Sequence, residues 1–498
     1  MDFNYLTWIV FLPVVGAIII ALVPGISSGA IKRVAAVFTF IPLVLSFVLF
    51  ANFDKSLGAT GAIQFEEKLS WIPAINAHYH LGVDGLNLPL VILMAFLGFL
   101  VVLISWKIDI RPREYFAWLL LLETSILGVF CSLDLLLFFL FWEIEVIPMY
   151  FLISIWGTGR REYSAIKYVI YTLFGSALML AGILSLYFTT GSLNMVEIAQ
   201  TELGSFRAVI PVAAIFFLLL AGFSVKLPVF PLHTWLPDAH TDAPTAVSVV
   251  LAGALLKMGG YGMIRLCLTI FPEVAIRYGL ILVVFAVFTV LYGAAVTLRQ
   301  TDIKRLIAYS SISHMGYVFL GIFAFSRVGL TGAVLQMVSH GIVAGLLFAV
   351  AGLVMHNSHE RDLSKLGGLV RQVPIITVVF TIGGLGALGL PGTSGFAAEF
   401  LVFLGSFSST IIAGMQVSTI LAVLGVVITA GYVLWMIQRV FYGPPLEKFN
   451  GVADADVLER VYMFLFVAAI LIIGIYPAIL TDVIKLGIPI SLSTLCSP

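Results

Sequence analysis

Charge is scarce in this chain. Asp, Glu, Lys and Arg make up 10% of its 498 residues, and hydrophobic residues make up 61%. Soluble domains carry about 25% charged residues, so this composition excludes an ordinary water-soluble domain. The formal net charge is zero, which leaves no basic excess for nucleic acid. Cysteine is nearly missing. Cys131, Cys267 and Cys496 form no CxxC or metal-ligand spacing, so the chain carries no sign of an iron–sulfur site. No GxGxxG follows a strand pattern, which removes the dinucleotide-binding fold. No c-type haem attachment motif accompanies the histidines. Low-complexity segments and domain-sized loops are also missing. The N-terminus lacks a charged n-region and a cleavage motif, and it reads as a retained helix rather than a signal peptide.

Long apolar runs fill the space. A membrane span needs about 20 mostly apolar residues. By that rule the chain divides into fourteen spans, near residues 5–24, 33–52, 84–106, 115–132, 134–156, 164–190, 208–229, 243–268, 278–298, 302–325, 328–355, 374–407, 415–441 and 459–484. The pattern predicts an all-α polytopic membrane protein. Prolines and glycines interrupt the seventh and twelfth spans. Between the second and third spans, the wetter stretch 65–84 reads as extended chain or a hairpin, with Trp71 and Tyr79 suited to a membrane interface.

Loop charge gives the sidedness. Loops after odd-numbered spans hold 17 Lys and Arg, the other loops hold 7, and 2 of the total of 26 remain. The richer side is predicted to be cytoplasmic, with both termini extracytoplasmic. The remaining two are Lys226 and Lys257, read as the only cations inside the membrane. The buried acids are Glu123, Glu143, Glu145 and Glu399, and the buried histidines are His314 and His340. Glu143 lies about 13 Å along its helix from Asp134, near the bilayer centre. Glu145 points about 200° away from Glu143, so only one of the two faces a given partner helix directly. Inserting all these groups unpaired would cost on the order of 10–20 kcal/mol.

Bland roles compete for each residue. A single intramembrane His usually hydrogen-bonds a neighbouring helix. A buried Glu–Lys pair serves as structural glue in some proteins. Metal binding by His233, Asp238, His240 and Asp242 fits the spacing, but the loop is broken by prolines and has no soft ligand, so a capping or gating role suits it better. The collection as a whole points to proton transfer. Burial brings lysine and carboxylate proton affinities toward neutral pH by up to about 3–5 units, and a neighbouring opposite charge reverses that. A Glu–Lys distance therefore acts as a switch.

An internal repeat supports this reading. Spans four to eight and nine to thirteen are two five-helix sets, each with its fourth helix broken, near Lys226 in one and Glu399 in the other. Five is odd, so the second set is inverted, as in transporters with sites at broken helices. The resulting division is 1–114 for three N-terminal helices and the hairpin-like loop, 115–270 and 271–443 for the repeats, and 444–498 for a polar loop and the last helix.

The stretches FFLFWEIEVIPMYFLISIWG, VKLPVFPLHTWLPDAHTDAPTAVSVVLAGALLKMGGYG, DIKRLIAYSSISHMGY, LQMVSHG and GLPGTSGFAAEF resemble the antiporter-like M subunits of respiratory complex I, across nearly the whole chain. These are counterparts of the mitochondrial ND four subunit and of its equivalent in plastid and cyanobacterial NDH. The resemblance implies that Glu143 pairs with Lys226, that Lys257 is the central relay, that His314 and His340 line the connecting axis, and that Glu399 lies on the exit side. Glu145 resembles the second acid of the NDH form; Glu123 matches no motif securely. Together with His233 and His240, these two are the further candidates. No cofactor or metal is expected in this chain. NADH, FMN, iron–sulfur clusters and quinone are implied on other subunits, and the partners are neighbouring antiporter-like subunits, a lateral helix and lipid. A bacterial inner membrane is implied, or a thylakoid or plasma membrane for the NDH type. An Mrp-type cation/proton antiporter subunit, a membrane subunit of a hydrogenase or ferredoxin-dependent complex, and a non-pumping membrane module are the competing readings.

Overall fold

A computed structural model describes residues 4–201 and 208–488. Arg207 and Cys496 lie outside the described residues. Lipid offers no hydrogen bonds to the backbone, so a spanning segment satisfies its own polar groups as helix. Among the described residues, eleven helices are long and apolar enough to cross a membrane, from Tyr5–Leu22 to Val457–Ile475. The other three expected spans are Val212–Lys226, the 20-residue helix Ile303–Ile322, and the broken pair Pro374–Ala387 and Ser394–Ser408. The all-α architecture of about fourteen crossings stands.

Two further spans are interrupted. The fifth divides at Glu145 into Leu135–Ile144 and Val146–Trp156. Pro148 has no N–H for the carbonyl four residues earlier, which loosens the helix there. The last divides at Tyr476–Pro477 into Val457–Ile475 and Ala478–Ile484, for the same reason.

The 65–84 stretch is a hairpin. Strand β1, Gln64–Ile72, pairs antiparallel with β2, Ala77–Val83, and Asn76 takes the left-handed turn position at φ 53°. Its Glu67 carboxylate accepts from the backbone N–H of Leu6 (2.8 Å) and Thr7 (3.1 Å), satisfying donors that the first helix leaves open. Trp71 is exposed, as an interfacial residue would be. Tyr79 instead tucks its hydroxyl against Thr7 Oγ1 at 2.6 Å, and burial pushes its phenol up to about 12.

The interior is built on two helices. The core of Thr245–Leu268 is 100% buried and that of Arg327–Ser358 is 94% buried, against 33–50% for most peripheral spans. These two carry Lys257 and His340. Lys226 and Lys257 are not alone as buried cations, however. Lys32 and Lys304 are also buried, and Arg265 is nearly so. All three sit at span ends and are paired: Lys32 with Asp109 (2.8 Å), Lys304 with the Ala243 carbonyl (2.8 Å), and Arg265 with Asp84 (2.7 Å).

Candidate functional site

Lys226 is the last residue of Val212–Lys226, where Pro228 ends the helical ladder. The break is satisfied locally. Val229 N–H donates to Ser224 O at 3.0 Å, and the Trp235 indole donates to Val225 O at 2.9 Å. The rest of the TWLPDAHTD segment, helix Trp235–Asp242, is a scaffold around that cap. Asp238 receives Lys167 at 2.7 Å and Arg305 at 3.6 Å, so it ties the sixth span to the tenth. Asp242 accepts from Ser164 Oγ at 2.6 Å. His233 stacks on Phe230, and His240 lies face to face with Phe348 at 4.4 Å. His233, Asp238, His240 and Asp242 thus occupy separate neighbourhoods. Among the described residues, no group of three His, Cys, Asp or Glu converges as a metal site would.

The acid facing Lys226 is Glu145, not Glu143. Lys226 Nζ forms an ion pair with Glu145 Oε1, and both side chains are buried. The Tyr168 hydroxyl donates to Glu145 Oε2 at 2.5 Å, and Lys226 Nζ donates to that hydroxyl at 3.1 Å. Trp142 and Tyr168 rings lie 5.7 and 5.2 Å from the ammonium, within cation–π range. The pairing of Glu143 with Lys226 implied by the resemblance is therefore corrected. Glu143 and Glu145 point to different faces, and the loosened turn at Glu145 delivers the second acid. Glu143 Oε1 is buried with no hydrogen-bond partner.

Lys257 sits between two π-helical segments, Leu251–Leu255 and Met263–Leu268. The wider turn frees backbone carbonyls, a feature common at functional sites. Lys257 Nζ donates to Ala252 O and to His340 Nδ1, the latter at 2.8 Å. The seventh and eighth spans meet at backbone distance. A Cβ on Gly259 would stand 2.6 Å from Leu227 N and 2.7 Å from Phe223 O, so only glycine lets the break lean on the lysine's helix.

From His340 the polar line continues. Its ring lies 5.5 Å from that of His314. His314 Nε2 is 3.0 Å from Ala387 O and 3.6 Å from Glu399 Oε1. Ala387 ends the first half of the twelfth span, and Glu399 lies in the second half. Gly389, at φ 73°, holds the break open toward the Glu399 carboxylate. A small cavity between them is lined by Ser310, His314, Gln336, Ser339, His340 and Glu399, among others, and its volume is about 10 Å³, close to the room one water needs. The structure therefore joins Lys257, His340, His314 and Glu399 into one chain across both repeats.

Glu123 stands apart. It packs on Gly98, with Oε1 buried and without a hydrogen-bond partner. Tyr168 and Trp235 are the site residues that sequence reading overlooks. Each reads as ordinary aromatic core, and the only signal was the location of Trp235 two residues after His233 in the broken stretch.

The sequence pattern of the NADH:quinone oxidoreductase/Mrp antiporter transmembrane family matches residues 132–425, which hold both breaks and every member of this polar line. The chain belongs to that family. NADH-quinone oxidoreductase subunit M of Rhodobacter capsulatus is 40% identical, over 97% of this chain and 95% of that protein. NAD(P)H-quinone oxidoreductase chain 4 1 of Synechococcus elongatus is 40% identical, over 97% and 90%. Respiratory complex I from Thermus thermophilus contains a similar structure, with a TM-score of 0.86 at 26% identity, covering 99% of this chain and 100% of that one. A chain of the Mrp complex from Dietzia sp. shares the fold, with a TM-score of 0.86 at 20% identity, covering 100% and 98%. The chain is thus an integral membrane protein of the antiporter-like kind, a membrane-arm subunit of an NADH:quinone oxidoreductase.

Proposed function

We propose that this chain moves protons across the membrane arm through Lys226, Lys257, His340, His314 and Glu399, with Glu145 and Glu143 setting the state of Lys226. The observation that carries this is the run of buried ionisable side chains from the broken seventh span to the broken twelfth. Stability alone is better served by apolar side chains, whereas a relay needs groups that gain and lose a proton. Moving one charge across 100 mV takes about 2.3 kcal/mol. Making or breaking a Glu–Lys contact at about 4 Å is worth about 4 kcal/mol at an effective dielectric constant of about 20. The switch and the membrane potential are of matching size.

Flavin, iron–sulfur and quinone chemistry belongs to other subunits in this reading, and the chain is a translocase part rather than a redox site. Neighbouring antiporter-like subunits, a lateral helix and lipid cover its exposed apolar flanks, and both termini face away from the cytoplasm. The shared fold of the Mrp complex supports a second reading, cation/proton exchange.

The test uses the assembled complex in sealed vesicles, with NADH and quinone supplied and proton uptake followed by a pH dye. Lys226→Ala and Lys257→Ala should each remove most of the uptake while electron transfer to an artificial acceptor persists. Normal uptake in both variants ends the relay reading. Uptake that requires sodium favours the antiporter.

A further inference from the structure

The eighth span carries a second polar stripe. Lys257, Tyr261 and Arg265 recur every four residues, so they share one helical face. The stripe runs about 12 Å from Lys257 toward the hairpin end of the span, at 1.5 Å per residue. It would be a direct way out for the lysine's proton, bypassing His340, His314 and Glu399. Arg265 stands at its end. The guanidinium leans back into the protein, as helical side chains do, and its Nε donates to the Tyr261 hydroxyl at 3.2 Å. Its Nη1 donates to Asp84 Oδ2 at 2.7 Å, and the two side chains are 12% and 10% exposed. Nη2 is buried without a hydrogen-bond partner. Asp84 follows β2 directly and is itself anchored. Its Oδ1 accepts from the backbone N–H of Leu86 (2.9 Å) and Asn87 (3.1 Å). The carboxylate is thus shared between the guanidinium and the first amides of the third span, which carry partial positive charge, so it offsets only part of the guanidinium's charge.

Resting on the relay reading above, we infer that Arg265 is a barrier residue of the proton path: its fixed positive charge, anchored by Asp84, closes the way from Lys257 to the hairpin face, so that His340 is the lysine's outlet. A relay member must gain and lose a proton. A guanidinium keeps its own at physiological pH, so the stripe ends in a group that cannot pass one on. Its charge also repels an approaching proton, as an arginine does in pores that exclude protons and cations. Burial sharpens the repulsion, because little water is present to weaken it. A structural tie between the hairpin and the eighth span needs neither property. A neutral pair would serve that purpose, and a buried ion pair adds little stability over apolar packing.

The experiment uses the assembled complex in sealed vesicles. It measures protons retained per electron during NADH-driven turnover, then the collapse of the pH gradient once NADH is spent. Arg265→Gln keeps hydrogen-bonding groups and loses the charge. It should lower retention and speed the collapse, each several-fold, while electron transfer to quinone does not slow. Arg265→Lys keeps the charge and should stay close to native. Adding Lys257→Ala to Arg265→Gln should restore the slow collapse, because the leak then loses its source. Native retention and collapse in Arg265→Gln overturn the inference, as does a fast collapse that persists without Lys257. A leak in Arg265→Lys as large as in Arg265→Gln assigns the seal to packing and also overturns it. The Arg265→Lys measurement does not depend on how Arg265→Gln folds: a several-fold leak there rejects a barrier made by charge, and a native gradient supports one. Lys257→Ala alone separates the two readings. If it abolishes pumping while Arg265→Gln holds its gradient, only the barrier falls; if it pumps normally, the relay itself falls.

Discussion

Lys226 and Glu145 show what single residues reveal and hide. Two lysines in apolar runs are legible at once, because a charge in lipid is costly and needs a reason. Their partners are not, because the face that an acid presents depends on helix continuity. Glu143 and Glu145 are both present in WEIEVIP, and the local effect of Pro148, three residues on, selects between them. Tyr168 and Trp235 were illegible for a different reason: nothing in an aromatic residue's sequence context tells that its polar end meets a charge. Glu123 can be tested by space. A Cβ on Gly98 would stand 2.3–2.5 Å from the Glu123 carboxyl atoms. Gly98→Ala should therefore destabilise the complex by about 1–3 kcal/mol, the usual cost of overpacking, read as a lower thermal midpoint. Glu123→Ala removes the obstacle, so the double variant should recover much of that loss. Strictly additive losses would mean that the two residues do not meet.

At the scale of elements, helix positions were readable from hydropathy because lipid forces the backbone into helix, while the breaks at Glu145 and Pro477 were hidden inside runs that stay apolar. The hairpin was legible as an extended stretch, and its structure adds a pH response. His80 on β2 is buried, its Nε2 2.8 Å from Glu66 Oε1. Burial, the larger effect, lowers its proton affinity below the ordinary value of 6.5, although Glu66 and Asp134 oppose that and Lys68 adds to it. The folded hairpin thus binds a proton less readily than the open chain does. Its stability is complete above about pH 6.5 and falls as the pH drops toward the lowered value, since the open form takes up the proton first. Protection factors for hydrogen exchange across residues 64–83 should decline on acidification through this window, and His80→Gln should flatten the decline. An equal decline in both proteins would assign the effect to other groups.

The whole molecule turns on the two enclosed helices, Thr245–Leu268 and Arg327–Ser358, one from each repeat. The inverted repeat explains why the polar line runs sideways across the protein. Each five-helix set carries one broken helix, with Lys226 at the first break and Glu399 beside the second, and inverted repeats place such sites at the interface between the sets. Parity and break position suggested this, while the continuity from Lys257 through His340 and His314 required the packing. Sidedness is an expectation from loop charge: the face with Arg160 and Arg161 is expected to be cytoplasmic, and the hairpin with exposed Trp71 is expected on the other. Cys131 and Cys267 are buried, so an added surface cysteine is read against a quiet background once Cys496 is replaced. In right-side-out vesicles, a membrane-impermeant maleimide should label Ser70→Cys directly and Arg160→Cys only after the membrane is opened. The hairpin and the loop at Arg160 are separated by spans three, four and five, an odd number, so the two sites must respond oppositely. Labelling of both from one side would remove a crossing from between them, and where that crossing is span four or five it would also remove the opposite orientation of the two repeats on which a transverse proton path depends.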